Sequence, residues 1–128
     1  MTRRQDQLNS RLLEIISMVV QSEMSDPRLQ MVNVTRVQVN RDASHAMIYF
    51  VSADDEYEDR EVEQAMNGAK GYFRSVLAEM LDLRYTPDLT FRYDHAHEET
   101  QRVLGLFDEI AEEREKNPPH FQDEEVDG

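Results

Sequence analysis

The sequence predicts a two-layer α+β domain, with helices packed on one face of a three-stranded sheet. Three observations lead there. Apolar residues recur at steps of three and four in two long stretches and at period two in three shorter ones. These patterns follow one another in the order α–β–β–α(kink)α–β. Cysteine is absent, so no disulfide or thiolate zinc site can hold the chain together, and 128 residues bury enough surface to need neither.

The first helix is expected over residues 5–23. Leu8, Leu12, Ile15, Ile16, Val19 and Val20 line one side, while Gln7, Asn9, Arg11, Glu14, Ser17 and Gln21 fill the other. Asp26-Pro27 closes it, because the residue before a proline is pushed out of the helical region. Residues 31–40 switch to period two. Val32 and Val34 share a parity and Val37 and Val39 take the opposite one, so a bulge is expected near Thr35-Arg36. Asn40-Arg41-Asp42-Ala43 has turn chemistry, and residues 44–52 alternate again, which makes an antiparallel hairpin. A second helical pattern covers residues 58–84. Gly68 and Gly71 interrupt it at about 1 kcal/mol each relative to alanine, so a kink between two helices is expected there. Pro87 ends that stretch, and Leu89, Phe91 and Tyr93 alternate as a third strand. A short C-terminal helix is expected over 98–115, followed by an acidic, disordered tail.

The net charge of −13 is unevenly distributed. Residues 54–63 carry −6 and residues 108–128 carry −7, which leaves the remainder neutral and able to present a basic surface. The run from Leu12 to Val20 is too short to span a bilayer. Arg3-Arg4 before it imitates a secretory leader, but the internal charge and the lack of a small-residue cleavage site argue against one. A soluble, cytoplasmic protein without a membrane partner is expected.

No catalytic constellation is present: there is no nucleophile elbow, Walker-type loop or dinucleotide fingerprint. Three other constellations bear on function. Gly68-Ala69-Lys70-Gly71 is a G-x-x-G between two helical stretches. Glycines let a backbone approach a phosphate, the helix that follows offers N–H groups, and Lys70 adds a charge, as in the clamp of KH-type RNA-binding modules. The same residues equally suit a kink needed only for packing. Arg3, Arg4, Arg28, Arg36, Arg41, Arg74, Arg84 and Arg92 all lie outside the acidic segments, where guanidinium groups suit phosphate oxygens. Asp94-His95-Ala96-His97-Glu98 offers metal-ligand types, and on a strand both imidazoles would face one side. A solvated polar loop reads the same way, and neither metal nor cofactor is expected.

Four segments carry a resemblance. They are Ser25-Asp26-Pro27-Arg28-Leu29, Asn40-Arg41-Asp42-Ala43-Ser44-His45-Ala46, Ala69-Lys70-Gly71-Tyr72-Phe73-Arg74-Ser75 and Leu83-Arg84-Tyr85-Thr86-Pro87-Asp88-Leu89. In content, order and separation the chain resembles the bacterial ribosome-binding factor A family over residues 5–94. The resemblance implies a type II KH-like fold and a non-catalytic assembly factor. Such a factor binds the immature 30S ribosomal subunit, assists maturation of the 5′ end region of 16S rRNA and serves cold adaptation. In that family the clamp is an A-x-G kink, here Ala69-Lys70-Gly71, and Gly68 in front satisfies the G-x-x-G as well. The chain departs from the family in its acidity, in Gln30 where glycine is common, and in residues 95–128, which match little.

The expected organisation is a KH-like RNA- and ribosome-binding domain over 1–95, a helical extension over 96–116 and a tail over 117–128. Arg41, Lys70, Arg74 and Arg84 are expected at phosphates, with Ala69 and Gly71 shaping the approach and Arg3, Arg4 and Arg28 next in rank. The expected partners are the 30S subunit, its 16S rRNA and basic ribosomal proteins, bound by a monomer. The alternative is an acidic module that binds a basic partner protein.

Overall fold

The computed structural model describes residues 2–116. The expected tail over 117–128 lies outside them. Helix α1 spans Arg3–Glu23. It starts two residues before the expected residue 5 because Thr2 and Gln5 form a capping box. The Thr2 hydroxyl accepts the Gln5 N–H at 3.1 Å, and the Gln5 side chain accepts the Thr2 N–H at 2.9 Å. Leu12, Ile15, Ile16, Val19 and Val20 are buried along its apolar side. A single 3₁₀ turn, Pro27–Leu29, follows, and buried Leu29 anchors it.

Strand β1 (Val32–Val39) and strand β2 (His45–Ser52) form the hairpin. Val34 lies opposite Phe50 and Arg36 opposite Tyr49, so Thr35 is the extra residue of the expected bulge. The bulge turns Val32, Val34, Val37 and Val39 to the same, core side, and three of the four are buried. In the turn, Ala43 takes a left-handed φ of 58°, which costs a residue with a Cβ about 1–2 kcal/mol. Hydrogen bonds from the Ala43 N–H to Asn40 and from the Ser44 N–H to Asp42 hold it there.

Helix α2 (Asp59–Gly68) and helix α3 (Lys70–Met80) meet at Ala69. Part of the acidic run before them has a local task, because the Glu61 carboxylate accepts the Glu58 N–H at 3.0 Å and caps α2. The helical pattern was expected to reach residue 84, but α3 stops at Met80. The segment beyond it is fixed by Arg74, which donates to the carbonyls of Thr86 and Pro87 at 3.2 and 3.1 Å.

Strand β3 (Asp88–Tyr93) runs parallel to β2, giving the order β1-β2-β3 with β2 central. The free edge of β3 is closed by side chains of α2. Asn67 accepts the Phe91 N–H and donates to the Phe91 carbonyl, both at 2.9 Å, and Glu63 accepts the Tyr93 N–H at 2.9 Å. Two residues of one helix thus take the place of a neighbouring strand. Between the layers, Phe73 meets Phe91 at 4.9 Å and Phe50 meets Tyr93 edge-on at 5.4 Å. This is the expected α+β arrangement.

Residues up to His95 form one compact unit, and a second begins at Ala96. Helix α4 spans His95–Lys116, 22 residues with none buried. It is longer than the short helix expected over 98–115, and it starts within the segment read as a loop or strand. His95 and His97 therefore stand two residues apart on a helix and do not face one side, which corrects the geometry expected for a histidine pair. No helix among the described residues is long and apolar enough to cross a membrane.

Candidate nucleic-acid interface

The kink is built from Ala69, whose φ of −96° and ψ of 5° end one helix and start the next. Its N–H still bonds back to Ala65 and Met66, while its carbonyl already accepts from Tyr72 and Phe73. No side chain caps the start of α3, where half-buried Lys70 stands first. Neither Gly68 nor Gly71 has a positive φ, and a Cβ added at either would meet nothing within 4 Å. The backbone of the kink is therefore approachable from outside, and the chain's own packing does not demand either glycine.

Beside the kink lies a groove of about 520 Å³, walled by the end of α1, the Asp26–Leu29 segment and the α2–α3 junction. Its walls are of mixed charge. Glu23 accepts a hydrogen bond from the Tyr72 hydroxyl, which raises the phenol above its ordinary pKa. Asp26 grips Arg28 by two parallel bonds of 3.1 and 2.8 Å and accepts the Arg28 N–H at 2.9 Å. The first of these interactions does most to hold the Asp26 carboxyl below its usual range.

The cations expected at phosphates divide into two groups. Arg3 and Arg4 are exposed at the start of α1, Arg41 in the strained hairpin turn and Arg84 in the segment before β3, where it lies 5.5 Å from the Tyr85 ring. Arg28 and Arg74 already have partners within the fold, so part of what was read as phosphate chemistry holds the Asp26–Leu29 turn and the Thr86–Pro87 carbonyls. Alongside them are groups that sequence reasoning passed over. Tyr72 and Glu23 are 49 residues apart in the chain, and only the α1–α3 approach brings them together. On the opposite side of the sheet, the Arg36 guanidinium lies 3.8 Å from the centre of the Tyr49 ring. The expected bulge gave the one available signal for that pair, since it decides which way Arg36 points.

Comparison with known proteins now decides the family. The sequence model described as ribosome-binding factor A matches residues 4–107. This chain belongs to the ribosome-binding factor A family. A ribosome-binding factor A from Syntrophomonas wolfei is 37% identical over 113 residues, covering 87% of this chain and 93% of that protein. The solution structure of a putative ribosome-binding factor A from Thermotoga maritima aligns with a TM-score of 0.62 at 30% identity, covering 70% of this chain and 85% of that one. A homology model of the Thermus thermophilus ribosome-binding factor A, as fitted into a cryo-EM map of its 30S complex, aligns with a TM-score of 0.58 at 25% identity, covering 70% of this chain and 93% of that one. The ribosome-binding factor A match thus spans the hairpin, the kink and all three strands.

Proposed function

We propose that this protein is a non-catalytic assembly factor of the small ribosomal subunit. It acts in the cytoplasm as a monomer, binds the immature 30S particle and favours maturation of the 5′ end region of its 16S rRNA, a step that weighs most in the cold. Residues 1–95 carry the binding, and basic ribosomal proteins are secondary partners. Stabilising one rRNA conformation needs no reacting group, only higher affinity for that conformation than for its competitors. The relative seen with 30S is the Thermus thermophilus protein.

The observation that carries this reading is the kink. Its backbone is open at Gly68 and Gly71, Lys70 stands at the start of an uncapped helix, and the space beside both glycines is unused by the fold. A phosphate fits that space by close backbone approach and charge. Replacing Ala69 and Lys70 by aspartate places two negative charges where the phosphate would sit. The A69D/K70D variant is expected to keep its cooperative thermal transition and to lose co-sedimentation with immature small subunits. A folded variant that co-sediments like the parent chain removes the clamp from the account.

A further inference from the structure

A row of side chains crosses the sheet on the side away from the buried face. The register sets Arg36 of β1 opposite Tyr49 of β2, and Tyr49 opposite Arg92 of β3. Bulged Thr35 makes this row possible, because without the extra residue Arg36 would fall on the core parity. The Arg36 guanidinium sits over the Tyr49 ring, 3.8 Å from its centre, and donates from Nε to Asp94 at 3.3 Å, while the Thr35 hydroxyl donates to the same carboxylate oxygen at 2.6 Å. Asp94 is itself buried, with a side chain 4% exposed, whereas the Arg36 side chain remains 52% exposed. A buried carboxylate therefore orients an arginine that still faces solvent. Arg92 is exposed and has no hydrogen-bond or ion-pair partner among the described residues.

We propose that this sheet face is a second RNA-contacting surface, separate from the kink, that takes a single-stranded segment. An unpaired base stacks on the Arg36–Tyr49 pair, and a neighbouring phosphate binds Arg92. The inference rests on the RNA-binding reading given above. A guanidinium held over an aromatic ring gives a charged platform already arranged for a base, and such stacking accepts any base. An ordinary cross-strand contact accounts for Arg36 through Asp94, but it gives Arg92 nothing to do. Other occupants suit the row less well. A basic protein would meet two arginines, and an acidic peptide would find one uncommitted guanidinium and no apolar pocket. RNA supplies both the flat ring and the anion at adjacent positions.

The test uses the full chain and end-labelled hexauridylate, read by fluorescence anisotropy over a salt series. Tyr49→Leu is expected to weaken binding about five- to hundredfold, the range for one base–aromatic stack, while Tyr49→Phe stays within about twofold. Arg92→Gln is expected to lower the slope of log affinity against log salt by about 0.7, one single-strand phosphate contact. Thermal melts identify any variant that fails to fold, and Arg92→Gln still decides the matter if Tyr49→Leu is lost that way. Parent-like affinity and slope in the folded variants overturn the proposal, as does a loss seen with an acidic peptide and not with RNA. If A69D/K70D loses subunit binding while the sheet variants match the parent on hexauridylate, only the second surface falls. If the parent binds neither hexauridylate nor immature subunits, the functional reading falls with it.

Discussion

Asp26 shows how one residue can serve both a turn and an arginine. Its carboxylate accepts the Arg28 backbone N–H at the start of the 3₁₀ turn and holds the Arg28 guanidinium through both oxygens. These bonds favour the ionised form, so the folded pKa lies below the ordinary value. The stabilisation is therefore present above the usual carboxylate range and disappears as pH falls through the lowered folded value. Because the pair is partly solvated, Asp26→Asn is expected to cost only about 1 kcal/mol near neutral pH. Urea unfolding of parent and variant at several pH values checks this, and the difference should narrow steadily in the acid range. Arg28 is correspondingly bound within its own turn before any phosphate arrives.

At the scale of elements, the closed edge of β3 depends on two side chains of α2. Asn67→Ala removes three hydrogen bonds, one of them to the Glu63 carbonyl of its own helix, and leaves the N–H and carbonyl of Phe91 without their partner. Leaving such groups unpaired in a partly buried setting costs about 1–3 kcal/mol, so the unfolding free energy should fall by that amount, read as a lower urea midpoint at unchanged slope. This contact was not legible in the sequence, because Asn67 and Phe91 are 24 residues apart and a polar residue near a helix end carries no signal of its distant partner. The elements that could be read were those marked by apolar periodicity. The bulge at Thr35 was visible because four valines change parity around it, and the kink because two glycines interrupt one helical pattern. The boundaries that moved were set by polar side chains: Thr2 with Gln5 at the start of α1, and Arg74 on the segment after α3. Among the site residues, the open backbone at Gly68 and Gly71 agrees with their composition. The Arg36–Tyr49–Arg92 row needed the pairing register before it could be seen.

For the whole molecule, the question is how a chain of net charge −13 approaches RNA. Some of the acidity is structural, since Glu61 caps α2 and Glu63 holds the edge of β3. Residues 117–128 contribute four acids and no base. Ending the chain at Lys116 is expected to tighten RNA binding about two- to tenfold at low salt, with the gain vanishing as the Debye length shrinks towards about 3 Å at 1 M. Loss of small-subunit binding on that truncation would instead support the acidic module that docks on a basic protein. The edge contact also ties the kink to the sheet, because Asn67 precedes Gly68 directly and bonds to the backbone of Phe91. The amides of Phe91 and Tyr93 are shielded by a helix and not by a strand, so their exchange with heavy water keeps time for a single event, the lifting of α2. A ligand that grips the kink therefore slows a clock located on the far side of that helix.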